Sequence, residues 1–174
     1  DVEYNEHTSH TVHVPFPNVT TGPALDLEAG VPIVIWTTTP WTLPSNRGIA
    51  FAEGETYCVV KCLGGTDKLR IPVGQRFVVA PTLVEETAKA ARMTEWEVER
   101  EIPGAAFAGT VCAHPLRGHA EADGFYDYDV PMHPADFVTM DTGSGFVHIA
   151  PSHGADDYDH GMLHGLPVTD LSLI

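Results

Sequence analysis

A run of hydroxyl-bearing residues follows an apolar stretch early in the chain. Residues 31–36 form a continuous apolar run typical of a buried strand, and three threonines at 37–39 come directly after it. Two prolines then hold the chain out of regular structure, because proline lacks the N–H that a ladder needs. Polar groups of this run are free to face a ligand, which predicts one wall of a polar pocket. The threonines alternatively finish the strand, with Thr42 satisfying a turn.

A second polar cluster lies where a predicted strand, 145–150, leads into a predicted helix, 156–164. Two histidines, His148 and His153, and two adjacent aspartates fall within this junction. Acidic residues at a helix start complement the helix dipole, which is the simpler role for Asp156. Because two adjacent side chains point in different directions, one of Asp156 and Asp157 can cap the helix while the other binds a cation, and a ligand ammonium is one candidate.

Metal, nucleophile and nucleotide sites are less well supported. His7, His10 and His13 recur at intervals of three, which in a strand puts the middle ring on the opposite face, without a partner at zinc-ligand spacing. The cluster at 148–157 is a better metal candidate, although a metal-free polar pocket is preferred. Ser144 lacks the GxSxG context of a serine nucleophile, and no GxGxxG or P-loop is present. We therefore expect neither metal nor cofactor.

Composition limits the partners and the compartment. Nine Lys plus Arg against 24 Asp plus Glu give a net charge of −15, which repels polyanions, so any RNA contact must be local. The three cysteines form no CxxC pair, which is typical of reduced thiols in the cytoplasm. The longest apolar run is far shorter than the roughly 20 residues that cross a bilayer, so no membrane span is expected.

Short β-like runs dominate the chain, punctuated by 14 prolines and 16 glycines. They predict a mostly β fold, a barrel or sandwich, with a few peripheral α-helices. A structural helix is predicted at 82–93 and loops with short strands at 104–128. Strands are predicted around residues 12–16 and at 31–36, 48–52, 56–63, 69–73, 76–80, 95–101 and 145–150.

Two strings carry a family resemblance. Thr37-Thr-Thr-Pro-Trp-Thr-Leu-Pro-Ser-Asn46 and Gly143-Ser-Gly-Phe-Val-His-Ile-Ala-Pro-Ser-His-Gly-Ala-Asp-Asp-Tyr158 resemble the editing (CP1) domain inserted in the isoleucyl-, valyl- and leucyl-tRNA synthetases, and the isoleucyl member most closely. The valyl and leucyl relatives usually carry arginine where Thr39 stands and an acidic residue where Trp41 stands. The resemblance implies a barrel-like β fold. It also implies that residues 1–174 are a single editing domain excised from a larger synthetase, as the absence of an initial methionine suggests.

The activity implied by the resemblance is post-transfer editing, the hydrolysis of valine from misacylated tRNA(Ile) by a pocket that excludes isoleucine. One methylene gives modest discrimination in a single binding step, so a second sieve destroys products small enough to enter it. The implied partners are the 3′-terminal aminoacyl-adenosine of valyl-tRNA(Ile) and the rest of the parent synthetase. Neither a HIGH-type nor a KMSKS-type motif occurs, so the chain is not expected to charge tRNA. The alternative is a non-catalytic module that binds the tRNA acceptor end or a free amino acid; the acidic balance disfavours it.

Roles for single residues follow from the same resemblance. Asp157 is expected to pair with the α-ammonium of the aminoacyl ester, and His148 to limit pocket size and contact the ribose. A neighbouring tRNA hydroxyl assists the proton transfer, because no side chain in the motifs is a strong base. The residues expected to position water or the oxyanion are Thr38, Thr39 and Asn46, and those expected to bind substrate beside them are Thr37, Trp41 and Thr42.

Overall fold

The computed structural model describes residues 11–168. Over that range the chain forms nine strands, and the predicted mostly β fold is confirmed. The strands are β1 (Val12–Thr20), β2 (Pro32–Thr37), β3 (Gly48–Phe51), β4 (Thr56–Gly65), β5 (Arg76–Val79), β6 (Met93–Pro103), β7 (Val111–Ala113), β8 (Asp129–Pro134) and β9 (Phe146–Ile149).

All nine strands belong to one mixed sheet, in the order β6-β4-β5-β2-β1-β7-β8-β3-β9. The β2–β5 and β3–β8 pairs are parallel and the others antiparallel. The sheet curls until Cα atoms of β2 and β9 approach within 8 Å, although these strands are not ladder neighbours. The barrel-like prediction is therefore right in β content and curvature, but within residues 11–168 the ladder stays open, with β6 and β9 at its edges.

Short helices connect the strands of the described range. The two α-helices are α1 (Val84–Ala90) and α2 (Ala155–His164), and 3-10 helices cover Pro40–Ser45, Pro81–Leu83, Gly104–Phe107 and Ala120–Ala122. Helix α2 begins within a residue of its predicted start and ends at Gly165 in the left-handed conformation, φ 68°. No helix between residues 11 and 168 has the length and apolar content to cross a membrane.

Two sequence predictions are corrected. The strand predicted at 69–73 is a loop, in which Leu69 and Ile71 turn their apolar side chains onto the cluster below α1 instead of pairing in a ladder. The helix predicted at 82–93 begins as a 3-10 turn and stops early. It stops because Arg92 adopts a left-handed conformation, φ 62°, and Met93 already starts β6. The segment 104–128 was predicted as loops and short strands; it contains loops, one short strand, β7, and two 3-10 helices that were not predicted.

The main core positions the start of β9. Tyr57, Phe107 and Phe146 pack ring against ring, with the Tyr57 and Phe146 centroids 4.2 Å apart and nearly parallel. The buried Tyr57 hydroxyl accepts the Ala52 N–H at 2.8 Å and donates to the Gly145 carbonyl at 2.6 Å. Gly145 has φ +84°, and an added Cβ would lie 2.6 Å from that of Ala80. A side chain is therefore excluded at this glycine, which fixes the entry to β9.

Candidate functional site

The threonine-rich run starts at the end of β2 and continues as a 3-10 helix. Thr37 is the last residue of β2, and the 3-10 helix Pro40–Ser45 follows. Its i→i+3 bonds run from the Thr42 N–H to the Thr39 carbonyl and from the Asn46 N–H to the Leu43 carbonyl, both at 3.0 Å. The prolines were expected to keep this segment irregular. Pro40 instead occupies the first turn, where a helix tolerates a missing N–H.

Three threonine hydroxyls of the run form an internal network. The Thr37 hydroxyl accepts the Thr39 N–H at 3.0 Å, and the Thr42 hydroxyl donates to the Thr39 carbonyl at 2.9 Å. The Thr39 hydroxyl lies 3.3 Å from that of Thr37 and 3.5 Å from that of Thr42. The hydrogen bonds of these three threonines are therefore those of residues that end a strand and close a turn.

Thr38 and Trp41 are the members of the run that face outward. The Thr38 side chain is exposed and hydrogen-bonds to none of residues 11–168, and the Trp41 side chain is 70% exposed. A tryptophan this exposed loses most of the free energy that burying its ring would provide, so its position suits contact with a ligand. The outward surface of the run therefore comes from Thr38 and Trp41 above a rigid hydroxyl network.

His148 joins the threonine run to β9. Its Nε2 lies 2.9 Å from the Thr42 hydroxyl, and its Nδ1 lies 3.2 Å from the amide nitrogen of Asn46. Because an amide N–H₂ only donates, Nδ1 is the acceptor and Nε2 carries the proton, which it donates to Thr42. Burial lowers the pKa of His148 to about 4, and the nearby His114 and His153 add to that shift. His148 is thus a neutral ring with both nitrogens occupied.

Asn46 is buried among these groups. It is fully buried, and its amide nitrogen also donates to the Gly48 carbonyl at 3.0 Å. Its side-chain oxygen has no hydrogen-bond partner within residues 11–168. That oxygen is an available acceptor beside the His148 ring.

Asp157 lies in the first turn of α2 and is half-buried. Its Oδ2 accepts the Ala150 N–H at 3.0 Å, which ties the helix start to the end of β9. Burial raises the pKa of Asp157 and Asp156 adds to that rise, while the Ala150 N–H and His153 oppose it. His153 in turn contacts the Ser45 hydroxyl at 3.2 Å. The α2 start therefore meets the threonine run through His153 and Ser45, and in the described range Asp157 makes no direct hydrogen bond to that run.

The two aspartates in the first turn of α2 differ in exposure and in hydrogen bonding. Asp156 is exposed, and the helix N-cap position is Gly154, which has no side chain to cap with. The helix start is acidic, as the dipole prefers, but Asp157 rather than Asp156 is the residue that holds a backbone N–H.

Two residues of the segment 104–128, which sequence reasoning left without a role, support the 3-10 helix Pro40–Ser45. The buried His114 receives the Leu116 N–H on Nδ1, so its Nε2 is the protonated nitrogen and donates to the Leu43 carbonyl at 2.9 Å. Tyr128 donates its hydroxyl to the Asn46 carbonyl at 2.6 Å, and Arg47 stacks on its ring at 3.9 Å. The cluster of aromatic residues in 125–128 was the available sequence signal.

Two groups of possible metal ligands were named from the sequence, one around His7, His10 and His13 and one at residues 148–157. His7 and His10 lie outside the described residues. His13 is half-buried, and burial lowers its pKa. Within residues 11–168, no group of three His, Cys, Asp or Glu side chains has a geometry that could hold a metal ion.

Two solved structures of editing domains share the fold of this chain. The CP1 domain of the leucyl-tRNA synthetase GlLeuRS superimposes with a TM-score of 0.65 at 16% identity, over 90% of this chain and 61% of that one. The editing domain of the P. falciparum cytosolic leucyl-tRNA synthetase superimposes with a TM-score of 0.58 at 12% identity, over 95% and 72%. The fold is therefore that of the CP1 editing domains of aminoacyl-tRNA synthetases.

Sequence similarity defines the family further. The chain is 40% identical to the isoleucine–tRNA ligase of Gluconobacter oxydans over 171 residues, which are 98% of this chain and 17% of that relative. It is 43% identical to the isoleucine–tRNA ligase of Bradyrhizobium diazoefficiens over 159 residues, 91% of this chain and 15% of the relative. No family model matches the chain. The chain spans about one sixth of the length of these relatives, and it belongs to the CP1 domains of the isoleucine–tRNA ligases.

Proposed function

We propose that this domain hydrolyses the ester that joins valine to the terminal adenosine of misacylated tRNA(Ile), and that its pocket excludes isoleucine. The observation that carries the proposal is the junction of the threonine run with the β9–α2 segment, formed by the 2.9 Å contact between Thr42 and His148. That junction places an outward-facing hydroxyl, an unpaired amide oxygen and a half-buried carboxylate on adjoining elements.

Asp157 binds the substrate in this proposal. An aminoacyl ester carries a free α-ammonium, and a half-buried carboxylate is a strong partner for it. One oxygen of Asp157 is committed to the Ala150 N–H, which fixes the orientation of the carboxylate. The other oxygen receives the ammonium, whose positive charge opposes the effect of burial on the Asp157 pKa. The ester carbonyl is thereby held in one position for attack.

Water and the developing oxyanion are held by groups of the threonine run. The exposed Thr38 hydroxyl and the Thr39 backbone stabilise the oxyanion, and the unpaired Asn46 oxygen accepts a hydrogen bond from the attacking water. The water oxygen bonds to the ester carbon, the bond to the ribose oxygen breaks, and that oxygen takes the proton lost by water. The neighbouring ribose hydroxyl relays this proton.

His148 sets the size of the pocket and is not the base. Both of its nitrogens are engaged and its pKa is lowered to about 4, so it holds no free lone pair to accept a proton from water. A ring fixed from two sides is instead a rigid wall. Together with Thr37, Trp41 and Thr42 it limits the volume available to the amino-acid side chain.

A charge-neutral substitution of Asp157 tests the proposal. Asp157→Asn keeps an oxygen for the Ala150 N–H but loses the ionic contact, so hydrolysis of valyl-tRNA(Ile) should fall roughly 10- to 150-fold, the equivalent of about 1.5–3 kcal/mol for a hydrogen bond to a charged group. Asp157→Ala should nearly abolish it. The measurement is release of labelled valine from valyl-tRNA(Ile), with thermal unfolding to confirm the fold.

Asp156→Asn is the matched control, because it makes the same charge change in the same helical turn on an exposed side chain. It should retain nearly full activity. Equal activity of the Asp157→Asn and wild-type proteins would refute the assignment of Asp157. Binding of valyl-tRNA(Ile) by the wild-type protein without any release of valine would favour the non-catalytic module instead.

A further inference from the structure

A cavity of about 810 Å³ is lined by none of the residues of the threonine run or of the β9–α2 segment. It is bounded by the β1–β2 pair, by α1 and by the loop before β5. On β2 it is lined by Val34 and Trp36, which alternate with Ile33 and Ile35 of the main core. The cavity is therefore on the opposite face of β2 from the main core, and the editing chemistry proposed above does not use it.

The charge around this cavity contrasts with that of the whole chain. Three cationic residues, Arg70, Lys89 and Arg92, line it together with one carboxylate, Glu86. These three are a third of the nine Lys and Arg in a chain whose net charge is −15. Three cations against one carboxylate leave the lining net positive, and a concave region with an excess of one charge attracts an oppositely charged ligand. The cavity therefore favours an anion on a protein that otherwise repels anions.

The floor of the cavity is apolar and partly aromatic. Phe77 and Val34 are buried beneath it, and the half-buried Trp36 indole forms part of its wall. Cationic side chains beside an aromatic surface are the combination with which proteins bind single-stranded nucleic acid, since the charges contact phosphates and the ring stacks on a base.

The cavity also ends beside the proposed editing site. In the β1–β2 register Val12 pairs with Thr37, His13 with Trp36 and Pro15 with Val34. Val12, His13 and Trp36 all line the cavity, so its end adjoins Thr37, the first residue of the threonine run. From Trp36 back to Pro32 the lining extends over five residues of strand, whose four steps cover roughly 13 Å at about 3.3 Å per step.

We propose that this cavity binds the single-stranded RNA segment that leads to the aminoacylated adenosine, with its phosphates on Arg70, Lys89 and Arg92 and a base against Trp36. The inference rests on the proposed function, because it assumes that the terminal adenosine occupies the neighbouring editing site. It accounts for RNA binding by an acidic domain through one local basic cavity.

The test is a triple variant, Arg70→Gln, Lys89→Gln and Arg92→Asn, in which asparagine suits the left-handed backbone at position 92. The control triple, Lys61→Gln, Arg76→Gln and Arg100→Gln, removes three cations that do not line the cavity. Both triples change the net charge equally. Binding of uncharged tRNA(Ile), with its full 3′ end and with its unpaired 3′ nucleotides removed, is measured over a range of salt concentrations, beside hydrolysis of valyl-tRNA(Ile).

The cavity triple should weaken binding of the full-length tRNA at least tenfold at low salt and raise KM with kcat unchanged. It should also reduce the slope of log K against log salt by about 2, the value for three phosphate contacts on a single strand. With the truncated RNA, the cavity triple and the wild-type protein should bind with the same affinity. The control triple should bind both RNAs with an affinity close to that of the wild type. Equal weakening by both triples, or weakening that persists with the truncated RNA, would overturn the inference.

The two proposals fail separately. A wild-type protein that releases no valine, but whose tRNA binding still depends on the cavity residues, would refute hydrolysis and support the cavity. Normal hydrolysis of valyl-tRNA(Ile), with identical KM values for both triple variants, would support the hydrolytic function and refute RNA binding in the cavity.

Discussion

The His148 ring is held from two sides, and in the proposed function it acts through shape instead of proton transfer. Asn46 holds one ring nitrogen and Thr42 the other, and only 7% of the residue is exposed. Rotation of the ring would break both hydrogen bonds in a buried environment, at a cost of about 1–3 kcal/mol for each group left unsatisfied. The ring is therefore a fixed boundary, which is what discrimination between side chains that differ by one methylene requires.

Removing this boundary should relax the specificity. A single methylene contributes about 1–3 kcal/mol to discrimination, and isoleucine against valine is the usual illustration of that limit. With His148→Ala, isoleucyl-tRNA(Ile) should become a substrate, and the preference for valyl-tRNA(Ile) should fall below about tenfold. Release of labelled isoleucine and valine from the two charged tRNAs measures this ratio.

Ser45→Ala is a suitable comparison, because it removes a neighbouring hydroxyl that contacts His153 and leaves the His148 ring in place. It should keep the preference for valine. If His148→Ala remains folded by thermal unfolding and still rejects isoleucine, another group sets the size limit.

At the scale of secondary structure elements, α2 meets β8 through three histidines. The His133 ring on β8 stacks on the His164 ring with centroids 4.2 Å apart, and the His160 and His164 centroids lie 4.5 Å apart. The His160 and His164 Nε2 atoms have no hydrogen-bond partner in the described range, and Phe137 packs edge-on against His160. Burial lowers the pKa of His160 to about 4, and His164 and His133 add to that shift. The contact therefore favours the neutral form of the His160 ring.

This histidine contact predicts acid lability. The pKa of His160 is about 4 in the folded protein and about 6.5 when unfolded, so the unfolded state binds more protons between these values. The stabilisation is fully present above pH 6.5 or so and is lost as the pH falls towards 4, at up to about 1.4 kcal/mol per pH unit from this group. His160→Phe should lower that slope in urea unfolding measured at several pH values.

His114 and His148, with pKa values also near 4, act in the same direction, so the slope should fall without vanishing. His119→Gln alters an exposed histidine and is the control. Parallel pH profiles for wild type and His160→Phe would show that this contact is not coupled to folding.

Elements were predictable from the sequence where one local pattern was sufficient. The apolar run 31–36 specified β2, and the glycine after His164 specified the end of α2. The loop 69–73 was mistaken for a strand because Leu69 and Ile71 are partly buried by tertiary contacts under α1, which a sequence window does not contain. The 3-10 form of Pro40–Ser45 was missed for a related reason, since it depends on His114 and Tyr128 far along the chain.

At the scale of the whole molecule, the sequence indicated a curled β fold but not its strand order. The parallel pairs β2–β5 and β3–β8 join segments separated by long connections, and no local pattern specifies them. The candidate site was better indicated, because its two strings carry most of its residues. The catalytic and binding roles of these residues stay predictions. The same holds for which of Thr38, Thr39 and Asn46 holds the water and which holds the oxyanion.

The buried cysteines have a consequence for how the sheet opens. Cys58 and Cys62 lie on β4 beside the edge strand β6, whereas Cys112 lies on the interior strand β7. Burial raises the pKa of Cys58 to about 11 and that of Cys112 to about 12, so neither thiol reacts while it remains covered. Each thiol thus reports a local opening event in its own strand.

Labelling with a disulfide reagent, followed by mass spectrometry of the peptides, would read these events separately. Cys58 and Cys62 should react first, at a rate set by detachment of the β6 edge, and Cys112 should react only on global unfolding. Earlier modification of Cys112 would place the weakest part of the sheet in its interior. The three native thiols, which are buried in the folded domain, thereby report the order in which its strands open, and no cysteine has to be introduced by mutation.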